Sequence, residues 1–218
     1  MASRLTRQRR MEILEAAADV IAERGLCETR IADVAKRASA SAALVLYYFE
    51  SKDRLLTEAL THAEDRFYLQ TFHELTGLER ARDRLLHLID RSIPARAAGE
   101  GLEDWKLWFE LWSRALRDPQ VATKREALDR RWRDTIAQVA RDGQDAGEFG
   151  PVDSADFALM LASLIDGLAI QAILGDREAT PERVREVCVD MAARELGFER
   201  AKGRGAVRRV VSGAKRGH

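Results

Sequence analysis

Apolar residues follow the helical period along almost the whole chain. In the first such stretch, apolar side chains recur three and four residues apart from Ile13 to Ile21, and Gly25 follows where a helix C-terminus is expected. The same spacing predicts a second, short helix over 31–38, with Thr29 as its N-cap, and a third over 42–49 after the capping residue Ser41. No segment alternates as a half-buried strand does, so the predicted fold class is all-α.

Six longer segments of helical period follow the three short ones. Ser51 is the expected N-cap of the first of them, and the pairs Asp118-Pro119 and Thr180-Pro181 place a proline at the first helical position after a capping side chain. Pro94 interrupts one segment, and the stretch AAGEGLED is the clearest loop. The predicted segments are 52–73, 78–98, 103–116, 119–146, 153–174 and 181–196.

The three N-terminal helices have the layout of a helix-turn-helix. The small-residue turn from Ala38 to Ser41 is short enough to hold the third helix at a fixed angle to the second. The third helix must then expose its N-terminal turn so that its side chains reach base edges in the major groove of DNA. The small side chains of Ala42 and Ala43 would let the backbone come close to the duplex.

Two sets of short motifs stand out: ILxAA, ERG, TxxDVA, YYF and SKxxL near the N-terminus, and WSRALRDP, RRWRD, GEF and DGLAIQ further along the chain. Through the first set, about residues 7–56 resemble the DNA-binding domain of the TetR family of bacterial transcriptional regulators. This stretch departs from the family pattern at Ser39, Ala40 and Leu46. Through the second set, about residues 105–175 are similar to the C-terminal domain of the choline–betaine regulator subgroup.

The family resemblance implies which residues touch DNA. The residues at the start of the second helix would contact phosphate, the first turn of the third helix would face the groove, and two tyrosines and a lysine would hold the DNA backbone. Few of these side chains offer hydrogen bonds to bases, so thymine methyl groups, water and DNA shape are expected to carry much of the specificity. The implied residues are Thr29, Arg30, Ser41, Ala42, Ala43, Leu44, Tyr47, Tyr48 and Lys52.

A row of aromatic residues in the segment 103–116 allows two interpretations. The spacing i, i+3, i+4, i+7 places the row on one helical face, which is typical of a packed core and also of an apolar ligand cavity inside a helical bundle. A cationic or amine effector would be favoured if Glu110 or Asp166 faced that cavity. The candidate effector-binding residues are Phe67, Trp105, Trp108, Phe109, Trp112, Trp132, Phe157 and Met160.

The segment SADFALMLASLIDGLAIQAIL is apolar on most faces, so neighbouring helices or a second copy of the chain must cover it. Together with the last helix, whose apolar stripe is Val184, Val187, Cys188 and Met191, it predicts a homodimer with a four-helix interface. A dimer also suits a palindromic DNA operator, because two recognition helices about 34–36 Å apart reach successive major grooves.

Composition and charge narrow the class of protein. The chain has 36 basic and 36 acidic residues, but the first ten residues contain four arginines and no acid, which suits an end that faces a polyanion. No apolar run approaches the roughly 18 residues of a membrane span, and the N-terminus lacks the apolar stretch of a signal peptide. We therefore expect a cytoplasmic protein without a membrane partner. Cys27 and Cys188 form no metal-binding or redox motif.

The sequence thus predicts a ligand-responsive transcriptional regulator, expected to act as a repressor that a small-molecule effector releases from its operator. The predicted divisions are a helix-turn-helix domain (1–52), a ligand-binding and dimerisation domain (53–198) and a basic, disordered tail (199–218). No catalytic residue, cofactor or metal site is expected, because no nucleophile, phosphate-binding or metal-ligand motif occurs. The alternatives are a helical enzyme that uses the aromatic cavity and a dimer that no longer binds DNA.

Overall fold

The protein is described by a computed structural model that covers residues 2–94 and 102–199, with side chains given for 6–94 and 105–199. Within those ranges the chain forms nine α-helices and no strand, so the all-α prediction is confirmed. The helices are α1 (Ala2–Arg24), α2 (Ile31–Arg37), α3 (Ala42–Phe49), α4 (Lys52–Thr76), α5 (Ala81–Arg91), α6 (Leu102–Ala115), α7 (Pro119–Asp145), α8 (Ser154–Leu174) and α9 (Pro181–Leu196).

Helices α1–α3 and the first half of α4 form one unit, which we call the head. Its core is made of the apolar stripes predicted from the sequence, and Arg10 fastens it by an ion pair with Glu58 and by lying 4.9 Å from the ring centre of Phe49. The predicted domain boundary at residue 52 falls in the first turn of α4, although α4 contributes to the head core beyond that turn. Buried head residues include Ile13, Ile21, Val34, Val45, Leu55 and Leu60.

The remaining helices form a second core, which we call the body. It is built from the inner faces of α5, α7, α8 and α9. Trp108 on α6 and Trp132 on α7 pack against both cores, so the two units meet at these indole rings. Because α4 runs through both units without a break, the head is joined to the body by a continuous helix as well as by side-chain packing.

The helix starts show which capping predictions hold. The side chains of Ser41, Ser51, Asp118 and Thr180 each accept a backbone N–H in the first turn of the helix they precede, as predicted. The prediction for Thr29 was wrong. Arg30 occupies the N-cap position of α2 without a side-chain cap, because the Thr29 hydroxyl is buried and donates instead to the Gly25 carbonyl at 2.8 Å.

Several predicted boundaries differ from the observed ones. Helix α4 extends to Thr76 and α5 begins only at Ala81, so the segment predicted over 78–98 is helical for a shorter stretch. Residues 95–98 of that segment lie outside the described residues. The same holds for all of the predicted tail except Glu199.

Helix α8 corrects one expectation. It has 21 residues and contains an 18-residue window with a mean hydropathy of 2.0, which is long and apolar enough to cross a membrane by length and composition. The expectation rested on uninterrupted apolar runs, and Asp166 and Gln171 interrupt this one. One side of α8 packs on α7 and α9 in the body core, and Asp166 faces a cavity between helices, as expected for a core helix.

The turn between α2 and α3 contains a strained residue. Ser39 has a φ of 49°, in the left-handed region that a side chain disfavours, and its carbonyl oxygen accepts a hydrogen bond from Arg9 Nη2 at 2.7 Å. The turn thus holds its shape against the preference of its own residue, because α2, α3 and Arg9 fix it from outside.

We predict that Ser39→Gly raises the free energy of unfolding by about 1 kcal/mol, because glycine adopts positive φ without a Cβ clash. The matched control is Ala40→Gly at the neighbouring position, where φ is not positive; it should lower stability by about 0.5–1 kcal/mol. Chemical denaturation of both variants checks the pair. A loss of stability in Ser39→Gly would show that the turn is not strained.

Candidate nucleic-acid interface and effector cavity

The first turn of α3 lies on the surface, as a recognition helix requires. Ser41, Ala42 and Ala43 are exposed and Leu44 is half-buried, while Val45 faces the head core. Ser41 Oγ accepts the Leu44 N–H at 3.1 Å, which fixes where the helix begins. A helix whose leading edge carries only small side chains can bring its backbone close to base edges.

The residues implied to hold the DNA backbone fall into three groups. Tyr47 is 78% exposed and Tyr48 is half-buried, with the two rings in an edge-to-face contact at 5.5 Å. Arg30 and Lys52 are exposed; the Lys52 ammonium donates to the Cys27 carbonyl at 3.3 Å and lies in the first turn of α4. Thr29 is the exception, because its side chain is fully buried and cannot reach a phosphate.

Two of the four arginines in the first ten residues have a role within the fold. Arg9 binds Glu12 and the Ser39 carbonyl, and Arg10 binds Glu58. Both guanidiniums therefore stabilise the head. Arg7, Arg30 and Lys52 are exposed and add positive charge to the surface of the head.

A cavity of about 170 Å³ lies between α4, α5, α6, α7 and α8, at the junction of head and body. Aromatic rings line much of it and contact one another edge-on or tilted, with Trp108 and Trp112 5.8 Å apart and Phe67 and Trp132 6.1 Å apart. Of the candidate effector-binding residues, five line this cavity: Phe67, Trp105, Trp108, Trp112 and Trp132.

The other three candidates lie elsewhere. Phe109 contacts Trp105 and Trp112 but sits about 100° around α6 from Trp108, at the far edge of the aromatic face. Phe157 is buried in the body core, and Met160 lies on the outer side of α8, where it is 46% exposed. A helical face is wider than the cavity it adjoins, so sequence spacing alone overestimated the lining.

Polar residues of the cavity were missed by sequence reasoning, apart from Asp166. Arg125, Asp129 and Arg133 recur at spacings of four on α7, which is the signal that could have placed them on the Trp132 side of that helix. Charged residues at such spacing normally face solvent, which is why they were overlooked. The polar lining residues are Tyr68, Arg91, Ser92, Arg125, Asp129, Arg133, Ser163 and Asp166.

Two of these polar groups are strongly affected by burial. Burial and the charge of Asp129 raise the pKa of the Asp166 carboxyl to about 6, while Arg125 and Arg133 act in the opposite direction. Burial also raises the pKa of Tyr68, whose hydroxyl donates to the Leu128 carbonyl at 3.0 Å. At neutral pH the cavity therefore contains an ionised Asp166 that is poorly solvated.

Indole rings beside a poorly solvated carboxylate provide the two kinds of group that attract an organic cation. The faces of tryptophan rings attract quaternary ammonium groups, which cannot donate hydrogen bonds and lose little hydration on entering an aromatic cage. Trp105 is held in place because its Nε1 donates to the Ser92 carbonyl at 3.2 Å. The aromatic face is thus partly core and partly cavity wall, which unites the two interpretations of the sequence.

The opposite face of α6 contacts the head. Three residues four apart each reach it: Lys106 Nζ donates to the Ala22 carbonyl at 3.3 Å, Glu110 Oε1 accepts the Leu26 N–H at 2.9 Å, and Arg114 pairs with Asp53. Glu110 therefore does not face the cavity. One helix connects the cavity to both ends of the reading unit, the α1–α2 loop and the start of α4.

Neither cysteine lines the cavity. Cys27 is exposed in the α1–α2 loop, and Cys188 is buried, where desolvation raises the pKa of its thiol to about 11. A thiol with so high a pKa is a poor nucleophile at neutral pH. In the part of the chain that the structure describes, no group of three or more potential ligand side chains is placed to hold a metal ion.

Comparison with protein families gives two matches that together span most of the chain. Residues 13–59 match the family of bacterial regulatory proteins of the tetR type. Residues 81–197 match the C-terminal domain of BetI-type transcriptional repressors. The first match covers the head helices, and the second covers α5 to α9.

Individual relatives agree with both matches. The chain is 25% identical over 189 residues to the HTH-type transcriptional regulator BetI 1 of Chromohalobacter salexigens, covering 86% of this chain and 90% of that protein. It is also similar to the crystal structure of a transcriptional regulator from Saccharomonospora viridis in complex with choline, with 32% identity, a TM-score of 0.79 and coverage of 88% and 98% of the two chains. A TetR regulator from Haloarcula marismortui superimposes with a TM-score of 0.76 at 26% identity.

Proposed function

Because this chain belongs to the TetR family, with a BetI-type repressor C-terminal domain, we propose that it is released from its operator by a quaternary ammonium effector. Membership makes the chain a ligand-responsive transcriptional repressor and not an enzyme. Regulators of this family bind DNA operators and small-molecule effectors and typically dimerise. The observation that carries the effector proposal is the tryptophan-lined cavity with Asp166 in its wall.

The similar regulator from Saccharomonospora viridis was solved with choline, a quaternary ammonium compound. Three features of this chain support the same class of ligand: the cavity between helices, its aromatic lining and the desolvated carboxylate of Asp166. A cation held on the indole rings of α6 and near Asp166 of α8 would bridge two helices. It would therefore favour one arrangement of α6 over others.

On the DNA side, we infer that Arg30, Tyr47 and Lys52 contact phosphates while the first turn of α3 enters the major groove. Thr29 is not included because its side chain is buried. Its hydroxyl donates to the Gly25 carbonyl and so stabilises the α1–α2 loop. The groove-facing set is Ser41, Ala42, Ala43 and Leu44, with Tyr48 between groove and core.

For dimerisation, we infer that the outer side of α8 meets a second copy. This side carries apolar and small residues that the described part of the chain leaves exposed, including Met160, Gly167 and Leu174. Small residues allow close approach of two helices, and α9 flanks the same side. Val184 and Cys188 of α9 face the body core, so the α9 contribution comes from other positions. A cytoplasmic location follows from DNA as the partner.

Lys52→Ala should weaken operator and random DNA about equally and lower the salt dependence of binding by roughly two units, one phosphate contact for each protomer. Ala43→Leu should weaken operator binding selectively, because a larger side chain obstructs the groove. Fluorescence anisotropy over a salt series measures both, with Lys124→Ala on the exposed side of α7 as the control. Unchanged operator affinity in both variants would contradict this docking.

The effector proposal predicts that tetramethylammonium and choline quench tryptophan fluorescence, since all four tryptophans line the cavity. Both compounds should also release the protein from promoter DNA that flanks its own gene. The uncharged carbon analogue of choline should bind about tenfold more weakly or worse. Cation affinity should fall as pH drops below about 6, where Asp166 takes up a proton. Asp166→Asn should remove that pH dependence; equal binding of the charged and uncharged analogues would refute the proposal.

The contacts of α6 predict that Glu110→Ala uncouples the two sites. The Leu26 N–H loses its acceptor, so movement of α6 no longer reaches the α1–α2 loop. Choline affinity should stay within about threefold, while the choline concentration that releases DNA should rise at least about fivefold. Titration of fluorescence and of DNA release in the same samples checks this, with Glu126→Ala on exposed α7 as the control. Identical release curves would show that coupling runs elsewhere.

A further inference from the structure

The charged side chains of the cavity are not all neutralised. Three arginines and two aspartates line it. Arg125 Nε donates to Asp129 Oδ2 at 2.6 Å, so these two residues form a pair. Arg91 Nε lies 3.4 Å from Glu74 Oε2, and its guanidinium lies 5.0 Å from the ring centre of Phe67. These contacts account for two of the three guanidiniums.

Arg133 and Asp166 are the two charged lining residues that these contacts do not involve. Among the described residues, neither forms a hydrogen bond or an ion pair within 4.0 Å, and both are half-buried. Arg133 is near enough for its charge to act on Asp166, yet the two do not touch. The cavity therefore presents one free cation and one free carboxylate, separated by a space that a ligand can enter.

A ligand with positive charge alone fits this pattern poorly. It would pair with Asp166 but displace water from Arg133 without replacing the lost hydrogen bonds, and a desolvated charge without a partner is unfavourable. A ligand that carries both charges satisfies both groups. Guanidinium is also the side-chain group that best matches the geometry of a carboxylate, because it can donate two parallel hydrogen bonds.

A further donor in the wall has no acceptor. Trp112 Nε1 is buried and has no hydrogen-bond partner among the described residues, unlike Trp105 Nε1, which is satisfied by Ser92. Buried polar groups in folded proteins are nearly always paired, so an unpaired N–H in a ligand cavity indicates an acceptor on the ligand. A quaternary ammonium group has none; the hydroxyl of choline offers one acceptor oxygen and a carboxylate offers two.

We propose that the preferred effector is a zwitterion in which a quaternary ammonium is joined to a carboxylate, with Arg133 as the side chain that binds the carboxylate. This inference rests on the proposed function and adds to it, since the aromatic rings and Asp166 would hold the ammonium end. Arg133 is thus the residue that distinguishes a betaine from choline, which has a hydroxyl in place of the carboxylate.

The test is isothermal titration calorimetry of the full-length protein at about pH 8 with glycine betaine and with choline. Wild type should bind glycine betaine about tenfold more tightly or better. Arg133→Gln should weaken glycine betaine about tenfold and leave choline within about threefold, and Arg133→Lys should restore part of the difference. Arg130→Gln, at an exposed position of the same helix, should change neither affinity.

The outcomes separate the two proposals. Choline binding that equals or exceeds glycine betaine binding in wild type overturns the zwitterion inference and leaves the quaternary ammonium effector standing. An Arg133→Gln variant that keeps its melting temperature but loses both ligands equally also overturns it. If neither compound binds wild type, the proposed effector class fails along with the inference.

Discussion

The structure depends on α6 belonging to two units at once. One face of this helix supplies three of the four tryptophans of the cavity, and the other face places Lys106, Glu110 and Arg114 on the head. The helix period fixes the angle between the two faces, so any shift or rotation of α6 as a rigid body moves the contacts on both sides together. The coupling proposed above uses this rigid connection between the cavity and the head.

The cavity exists because the two cores do not close completely on each other. Trp108 and Trp132 pack against both cores and also line the cavity between them. Charged side chains of α7 and α8 lie in this space, where they are partly removed from water. This desolvation raises the pKa of Asp166. Tolerance of that cost in a core is typical of a site that a ligand completes.

In the head, more polar side chains stabilise the position of α3 than lie on its exposed edge. Arg9 and Arg10 serve the turn and the core, while the exposed edge of α3 carries small side chains. Strain at Ser39 is held by its neighbours, so the angle of α3 is set by packing. The docking proposed above brings this surface close to the bases, and it therefore requires that the rest of the head hold α3 at a fixed angle.

The sequence by itself determined the helices, most of their caps and the helix-turn-helix layout, because period, capping residues and small-residue turns act within a few positions of the chain. It also located the aromatic face and indicated Asp166 as a carboxylate that could face the cavity. Only the tertiary structure decided that Thr29 is buried, that Phe109, Phe157 and Met160 lie off the cavity, and that Arg133 lies in its wall. Those facts depend on which helix stands opposite, and side chains from distant segments meet only after the chain has packed.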